Sequence, residues 1–315
     1  LFSDKNGKEK SPKGDIWSAS LLSRYLEVCP QEKLHATLGF LNETDDYSTI
    51  YSSFNKVLSQ ESRLEPNVKL PYHIHTSYLR ILKQLKKYDE YKDFSTKMQS
   101  IFPKQKAELI VELAKSYINA TELEDAELLL NSAIESTVTI ADFSLIYNFY
   151  LDYEKAYIEN VMKELKNKSV SGDIWEPRLI KHMDSLQRLT AEHELKLSDV
   201  KLRQNPNSIE KWFERVDLFE SIHEKCEAYA QAILKIDSRK VTKPGALGEL
   251  WCRYAQLYWD AGDYDNAREV WNSRLKVPYP YLEDLEGIWI SWVENELKRE
   301  EDGVQNAIRL LKTAL

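Results

Sequence analysis

The sequence feature that most constrains the fold is an aromatic pattern that recurs at a nearly constant spacing. Positions 0, +3 and +7 are occupied by the sets Trp212/Arg215/Phe219, Trp251/Tyr254/Tyr258 and Trp289/Trp292/Glu296, with a fourth set, Tyr147/Tyr150/Glu154, upstream. Trp251 follows Trp212 by 39 residues, and Trp289 follows Trp251 by 38. Residues at these positions lie on one stripe of an α-helix. The spacing therefore predicts a series of helices, each with an aromatic face turned towards a common neighbour.

A second motif follows the Trp251 and Trp289 sets, occurs once more at Ala126, and pairs a small residue with an aliphatic one eight positions later. The pairs are Ala126/Ile134, Ala267/Leu275 and Ala307/Leu315. A small side chain allows its helix to approach the bulky stripe of the preceding helix closely. The two motifs together predict an all-α fold of helix-turn-helix repeats, in which each pair packs mainly on its neighbours.

Turn signals separate the predicted helices. Gly262 suits a left-handed helix C-terminus. The spacings Thr121-x-x-Glu124 and Ser221-x-x-Glu224 are typical of capping boxes that open a second helix.

The domain organisation follows from how clearly the repeat is visible. Residues 1–15 are polar and aperiodic, which predicts a flexible linker or tail. Residues 16–104 are expected to hold degenerate N-terminal repeats, and residues 105–315 hold the clear ones. The 65 residues between Tyr147 and Trp212 exceed one period, so we expect long helices and a loop insertion at about 155–205.

Charge and cysteine content narrow the functional classes. The chain has 43 basic and 51 acidic residues, a formal net charge of −8. Its basic stretches, 83–87 and 163–168, are short, so no strong direct nucleic-acid binding is expected. No apolar run reaches the roughly 18 residues of a membrane span. Three separated cysteines, Cys29, Cys226 and Cys252, indicate reduced thiols in a cytosolic or nuclear protein.

The combined motif resembles the half-a-TPR (HAT) repeat of RNA-processing proteins. Within that class the chain is similar to the Syf/XPA-binding branch of pre-mRNA splicing factors, which are related to the crooked-neck proteins. The segments that carry the resemblance are 141–154, 202–216, 250–275 and 284–315, and the LRQNP segment before the Trp212 helix is the most specific to the branch.

The resemblance implies a right-handed α-α superhelix and a nuclear scaffold subunit of the Prp-nineteen-associated assembly, the NineTeen complex. Its implied partners are crooked-neck-like proteins and other subunits of that complex. It supplies no catalytic, cofactor-binding or metal-binding residues. The set at Trp212 departs from the family pattern because Phe219 replaces the acidic residue at +7.

A few residues suggest specific chemistry, and each has a simpler structural interpretation. His73 and His75 could form a metal pair, but exposed or half-buried helix histidines are favoured because no third ligand stands at a recognisable spacing. His223 and Cys226 could form a base and a nucleophile, but packing is favoured. Glu154 and Glu296 are expected to be structural, each paired with an arginine of the partner helix such as Arg309. The segment 279–281 is either a recognition loop or, as favoured, a turn whose aromatics cover a helix end.

The sequence leaves several functions open. The leading hypothesis is a splicing scaffold, with tryptophans 251 and 289 in its core. The alternatives are another HAT or TPR scaffold in RNA processing, a TPR module that captures a peptide terminus, an RNA-binding HAT scaffold, and the helical-repeat subunit of a prenyltransferase-like enzyme.

Overall fold

The computed structural model describes residues 51, 55, 58, 72–166, 172–275, 279–299 and 302–314. Within these ranges the regular structure consists of twelve α-helices and two short 3-10 helices, and no strand occurs. The predicted all-α repeat fold is therefore confirmed. The predicted tail at 1–15 and Cys29 lie outside the described residues.

The chain divides into two compact units, residues 1–133 and 134–315. In the first unit the helices are α1 (Tyr72–Gln84), α2 (Tyr88–Ile101), α3 (Lys106–Asn119) and α4 (Leu123–Ser136), the last of which extends past the unit boundary. Their core is built from Leu82 of α1, Met98 of α2 and Leu113 of α3, all almost completely buried.

The second unit begins with two long helices, α5 (Ile140–Lys166) and α6 (Gly172–Gln204). Three helix pairs follow: α7 (Ile209–Asp217) with α8 (Ile222–Lys235), α9 (Ala246–Asp260) with α10 (Tyr264–Arg274), and α11 (Leu282–Leu297) with α12 (Gly303–Ala314). We call α7, α9 and α11 first helices, and α8, α10 and α12 second helices. The predicted boundaries between tail, degenerate repeats and clear repeats remain predictions.

The turn between α9 and α10 forms as its sequence predicts. Gly262 has φ of +81°, the left-handed conformation that glycine adopts most readily. Asp263 then caps α10, because its side chain accepts a hydrogen bond from the backbone N–H of Asn266 at 3.3 Å.

The predicted capping boxes are wrong in their hydrogen bonding. Ser221 is the N-cap residue of α8, but its side chain forms no capping hydrogen bond. Thr121 has φ of +65°, and its hydroxyl donates to the carbonyl oxygen of Ala120 instead of capping α4. In each case a serine or threonine marks the turn correctly without bonding to the helix.

Candidate functional site

The junction between α10 and α11 is built by tryptophans around a small residue. Ala267 is fully buried on α10, one turn before Trp271, which is also fully buried. The Trp271 ring lies 5.7 Å from that of Trp259 and is stacked at 5.9 Å on that of Trp292. Large aromatic surfaces packed in this way dominate the stability of a helical interface. The aromatic stripe and the alanine thus meet as predicted.

An ion pair between a half-buried arginine and a buried glutamate crosses the same junction. The guanidinium of Arg268 donates to both carboxylate oxygens of Glu296, at 2.6 and 2.9 Å, and Glu296 itself is 1% exposed. Trp292 Nε1 and Asn306 Nδ2 also donate to this carboxylate. Burial alone would raise the pKa of Glu296, but the ion pair and these hydrogen bonds outweigh it and lower the pKa.

The predicted arginine partner of Glu296 is therefore corrected. Arg309 is exposed on α12, whereas Arg268 comes from α10 of the preceding repeat. Arg268 directly follows the buried Ala267, so the Ala-Arg dipeptide supplies both the small residue and the cation. The repeat motif in the sequence includes Ala267 but indicates no partner for Arg268.

Glu154 occupies the same register position as Glu296 and has a different partner. It is fully buried on α5, and its Oε2 lies 2.6 Å from Nδ1 of the buried His182 on α6. The partner is thus a histidine and not the predicted arginine. The His182 ring in turn packs against Tyr157, with ring centroids 3.8 Å apart.

Two glycines permit close backbone approach around α11. A Cβ atom at Gly248 of α9 would lie 2.3 Å from the backbone oxygen of Asp284, and one at Gly303 of α12 would lie 2.3 Å from that of Glu296. The close approach at Gly248 also lets Oδ1 of Asp284 accept a hydrogen bond from the Gly248 N–H at 2.9 Å. Asp284 thereby caps the N-terminus of α9 from the next repeat.

The repeat that departs from the family pattern is also irregular in structure. Helix α7 has nine residues and ends at Asp217, so Phe219 lies beyond it. Arg215 pairs with Asp199 of α6 at 2.6 Å. Trp212 is 1% exposed, and its Nε1 donates to the carbonyl oxygen of Pro206 at 2.9 Å. This bond joins the Trp212 ring to the last residue of the LRQNP segment.

The histidine and cysteine candidates lie in different environments, and the packing expected of His223 is wrong, because its side chain is 81% exposed. His75 is 1% exposed between Phe94 and Phe102, which corrects the expectation that it is exposed or half-buried. His223 is exposed, with Nδ1 3.7 Å from a carboxylate oxygen of Glu227. Cys226 and Cys252 are free thiols. Burial raises the pKa of Cys252 to about 11, which disfavours the reactive thiolate.

The aromatic residues of segment 279–281 and the tryptophans Trp251 and Trp289 differ in their contacts and burial. Tyr279 packs into the cores on both sides of α9, and the hydroxyl of Tyr281 donates to the carbonyl oxygen of Thr242 just before that helix. Trp251 is 7% exposed, as expected of a core residue, with the Arg274 guanidinium 3.8 Å from its ring centroid. Trp289, expected in the core, is only half-buried and stacks on Trp292.

No helix in the described ranges combines the length and hydropathy that a bilayer-spanning segment requires.

Comparison with known families accounts for almost the whole chain. Residues 37–236 match the middle HAT repeat of pre-mRNA-splicing factor SYF1, and residues 240–315 match the Syf1/CRNKL1 C-terminal HAT repeat. The division falls at the short 3-10 helix Ser238–Lys240, between α8 and α9. The first match also includes most of the segment 16–104, in which the repeat pattern is weak.

Curated relatives agree with the family match. The chain is 41% identical to pre-mRNA-splicing factor SYF1 of Saccharomyces cerevisiae over 98% of its own length and 36% of that protein. It is 24% identical to pre-mRNA-splicing factor cwf3 of Schizosaccharomyces pombe over 91% of the chain and 36% of the relative. For human SYF1 the values are 30% over 68% of the chain and 24% of the relative. The chain spans about a third of the length of the two yeast relatives named above, and it belongs to the Syf1 family of HAT-repeat pre-mRNA-splicing factors.

Proposed function

We propose that the chain is a protein–protein interaction scaffold in pre-mRNA splicing and acts in the nucleus as part of the NineTeen complex. The observation that carries this proposal is the 41% identity to SYF1 over 98% of the chain. Its proposed partners are crooked-neck-like proteins and other subunits of that complex. The proposed role requires no catalytic residue, metal or cofactor.

The construction of the repeats supports a scaffold role. The bulky rings of the repeat motif are used to join one helix pair to the next, as Trp271 and Trp292 show. Large aliphatic side chains nevertheless remain at the surface, including Ile290 at 49% and Leu297 at 51% exposure. A helical-repeat protein presents such residues on extended faces that partner proteins can cover.

The acidic charge supports protein partners over nucleic acid. Phosphate backbones are bound by clustered lysines and arginines, and the affinity falls steeply with salt. This chain carries a net charge of −8, and many of its described basic groups already pair with carboxylates, as Arg268, Lys201 and Arg253 do. We therefore propose that any binding to RNA by the chain alone is weak.

Affinity purification from nuclear extract followed by mass spectrometry tests the proposal. The tagged chain is expected to recover crooked-neck-like and other NineTeen subunits after nuclease treatment, which removes contacts bridged by RNA. A tagged, unrelated helical-repeat protein is the control. Recovery of chaperones, membrane receptors or a prenyltransferase partner without splicing subunits would refute the proposal.

A further inference from the structure

The three first helices of the second unit stand side by side. The guanidinium of Arg253 on α9 lies 4.0 Å from the ring centroid of Phe213 on α7. On the other side of α9, the side-chain amide of Asn295 on α11 donates to Gln256 at 2.8 Å. Each first helix turns its aromatic stripe towards the second helices. The opposite sides of α7, α9 and α11 therefore form one solvent-facing surface, which we call the first-helix face.

The first-helix face carries mainly carboxylates. Helical spacing from the buried Trp212, Trp251 and Trp292 places seven acidic residues on it. They are Glu210, Glu214, Asp217, Glu249, Asp260, Glu286 and Glu294, and all are exposed. Arg253 on the same stripe of α9 pairs with Glu249 at 2.7 Å. The face is therefore negative even after its internal ion pairs are counted.

The charge is least compensated on α11. Lys243 and Lys201 pair with Glu210 and Glu214 of α7. Glu286 and Glu294 of α11, in contrast, form no ion pair among the residues that the structure describes. Lys298, four residues after Glu294, donates to Asn295 and not to Glu294. Two carboxylates with no ion-pair partner in the described part of the chain favour a ligand that brings cations of its own.

Aliphatic side chains alternate with these two carboxylates. Glu286, Ile290, Glu294 and Leu297 follow one another at spacings of four, four and three residues, which keeps them on one stripe of α11. Ile290 and Leu297 are each about half exposed, although the other side of the helix buries Ile288 completely. The stripe thus offers both apolar area and negative charge.

We propose that the first-helix face binds a basic amphipathic α-helix of a partner protein, with α11 as the main contact. Lysines or arginines of that helix pair with Glu286 and Glu294, and its aliphatic residues cover Ile290 and Leu297. The proposal rests on the scaffold function proposed above and specifies the chemistry of one partner.

Spacing explains why a helix fits this stripe. Ile290 and Leu297 are seven residues apart, which is about 10.5 Å along a helix at about 1.5 Å per residue. A partner helix lying alongside α11 repeats its own aliphatic residues at the same two-turn interval, in the usual manner of helix recognition. A nucleic acid is disfavoured because its phosphates would meet carboxylates.

Fluorescence anisotropy with a designed probe tests the proposal. The probe is a fluorescein-labelled peptide of about 18 residues with leucines at helical spacing and lysines elsewhere, titrated with the full 315-residue chain. Two control peptides replace every lysine by glutamate or every leucine by serine. We expect the probe to bind, binding to weaken as NaCl is raised, and both controls to bind at least about tenfold more weakly.

Paired variants locate the binding surface. The double variant Glu286→Lys/Glu294→Lys and the double variant Ile290→Ser/Leu297→Ser should each weaken binding about tenfold. The matched controls lie on exposed positions of second helices: Glu224→Lys/Glu269→Lys changes the charge equally, and Ile308→Ser/Leu311→Ser removes equal apolar area. Each control should change affinity less than about twofold, and circular dichroism checks that every variant remains helical.

The outcomes separate this inference from the scaffold proposal. Absence of probe binding, or equal weakening by the variants on α11 and their controls, overturns the assignment of the first-helix face. If the Glu286→Lys/Glu294→Lys chain then still recovers splicing subunits from nuclear extract, the scaffold function stands without this face. Specific probe binding with no recovery of splicing subunits by the unaltered chain refutes the scaffold function and leaves the basic-helix site in place.

Discussion

Two successive junctions in the second unit use different chemistry at corresponding positions. At the α10–α11 junction, Trp271 stacks on Trp292 and Arg268 pairs with Glu296. One repeat earlier, at the α8–α9 junction, Ala232 and Tyr254 correspond to Trp271 and Trp292. Tyr229 and Tyr258 correspond to Arg268 and Glu296. The ion pair is thus replaced by two tyrosines, and one tryptophan by alanine.

The tyrosine junction is nevertheless well packed. Tyr229 is 5% exposed, and its ring lies 5.3 Å from that of Tyr254. The Tyr254 and Tyr258 hydroxyls are 3.2 Å apart. The comparison teaches that the repeat specifies where two helices touch but leaves the interaction free to be charged or neutral, provided that the volume and the polar groups are matched.

Replacing Trp271 by alanine should produce the largest loss of stability. Trp271 corresponds to Ala232, so the variant gives the tryptophan junction the alanine that the tyrosine junction already has. Position 268 holds an arginine and not the tyrosine of the other junction, so the space left by the Trp271 ring is not filled. The resulting cavity should lower the free energy of unfolding by about 3–5 kcal/mol. Urea denaturation followed by circular dichroism measures the change. Leu234→Ala, at a site 86% exposed, is the control and should have an effect within about 0.5 kcal/mol.

Removing the cation from the ion-pair junction should have the next largest effect. Arg268→Ala leaves the Glu296 carboxylate buried without its counter-charge, and breaking a buried pair in this way lowers stability by about 3 kcal/mol. At the corresponding position of the tyrosine junction, Tyr229→Phe keeps the ring buried and should change stability by less than about 1 kcal/mol.

A second arginine, whose carboxylate partner is exposed, separates the effect of burying the carboxylate from that of the charge itself. Arg215→Ala breaks the pair with Asp199, whose side chain is 39% exposed, and should lower stability by less than about 1 kcal/mol. Equal losses for Arg268→Ala and Arg215→Ala would contradict the assignment of Arg268–Glu296 as a buried junction pair.

These comparisons also show how far the sequence determines the fold. The spacing of Trp212, Trp251 and Trp289 predicts the helix pairs, because each ring must be buried against a neighbour and the period fixes which neighbour it meets. The same spacing does not distinguish the buried Trp292 from the half-buried Trp289, since both lie near the edge of one stripe. Which ring faces the core depends on the angle at which the next helix crosses, and the sequence of one helix does not determine that angle.

The partners of the buried glutamates show a second limit. A glutamate at +7 predicts that a cation must compensate it, because an unpaired buried charge is costly. From the sequence alone, Arg268, Arg309 or another arginine could equally provide that cation. Only the packing shows that Glu296 meets the preceding repeat and that Glu154 meets His182. The sequence does not predict the exposed stripe of α11 for a similar reason. Ile290 is an aliphatic residue that suits a core position, and only the orientation of the helix shows that it is exposed.

Two glycines test the backbone approach between successive first helices. Gly248→Ala would place a methyl group 2.3 Å from the backbone oxygen of Asp284, so α9 and α11 must separate. We expect a loss of about 1–3 kcal/mol. Gly287→Ala is the matched control, since a Cβ atom there meets nothing within 4 Å, and it should stabilise α11 by about 0.5–1 kcal/mol. A stabilised Gly248→Ala variant in thermal denaturation would show that the two helices do not approach this closely.

The smallest expected effect is a difference in pH dependence between the two junctions. The pKa of Glu296 is lowered in the folded chain, so its contribution is present above the ordinary glutamate pKa of about 4.3 and is lost as the pH falls. Burial raises the pKa of Tyr229 to about 12, so its contribution is present below pH 10 and is lost between about 10 and 12. Glu296→Gln should therefore flatten the acid side of the stability profile, and Tyr229→Phe the alkaline side. An unchanged acid slope in Glu296→Gln would mean that the ion pair does not couple protonation to folding, and the two junctions would then differ in packing alone.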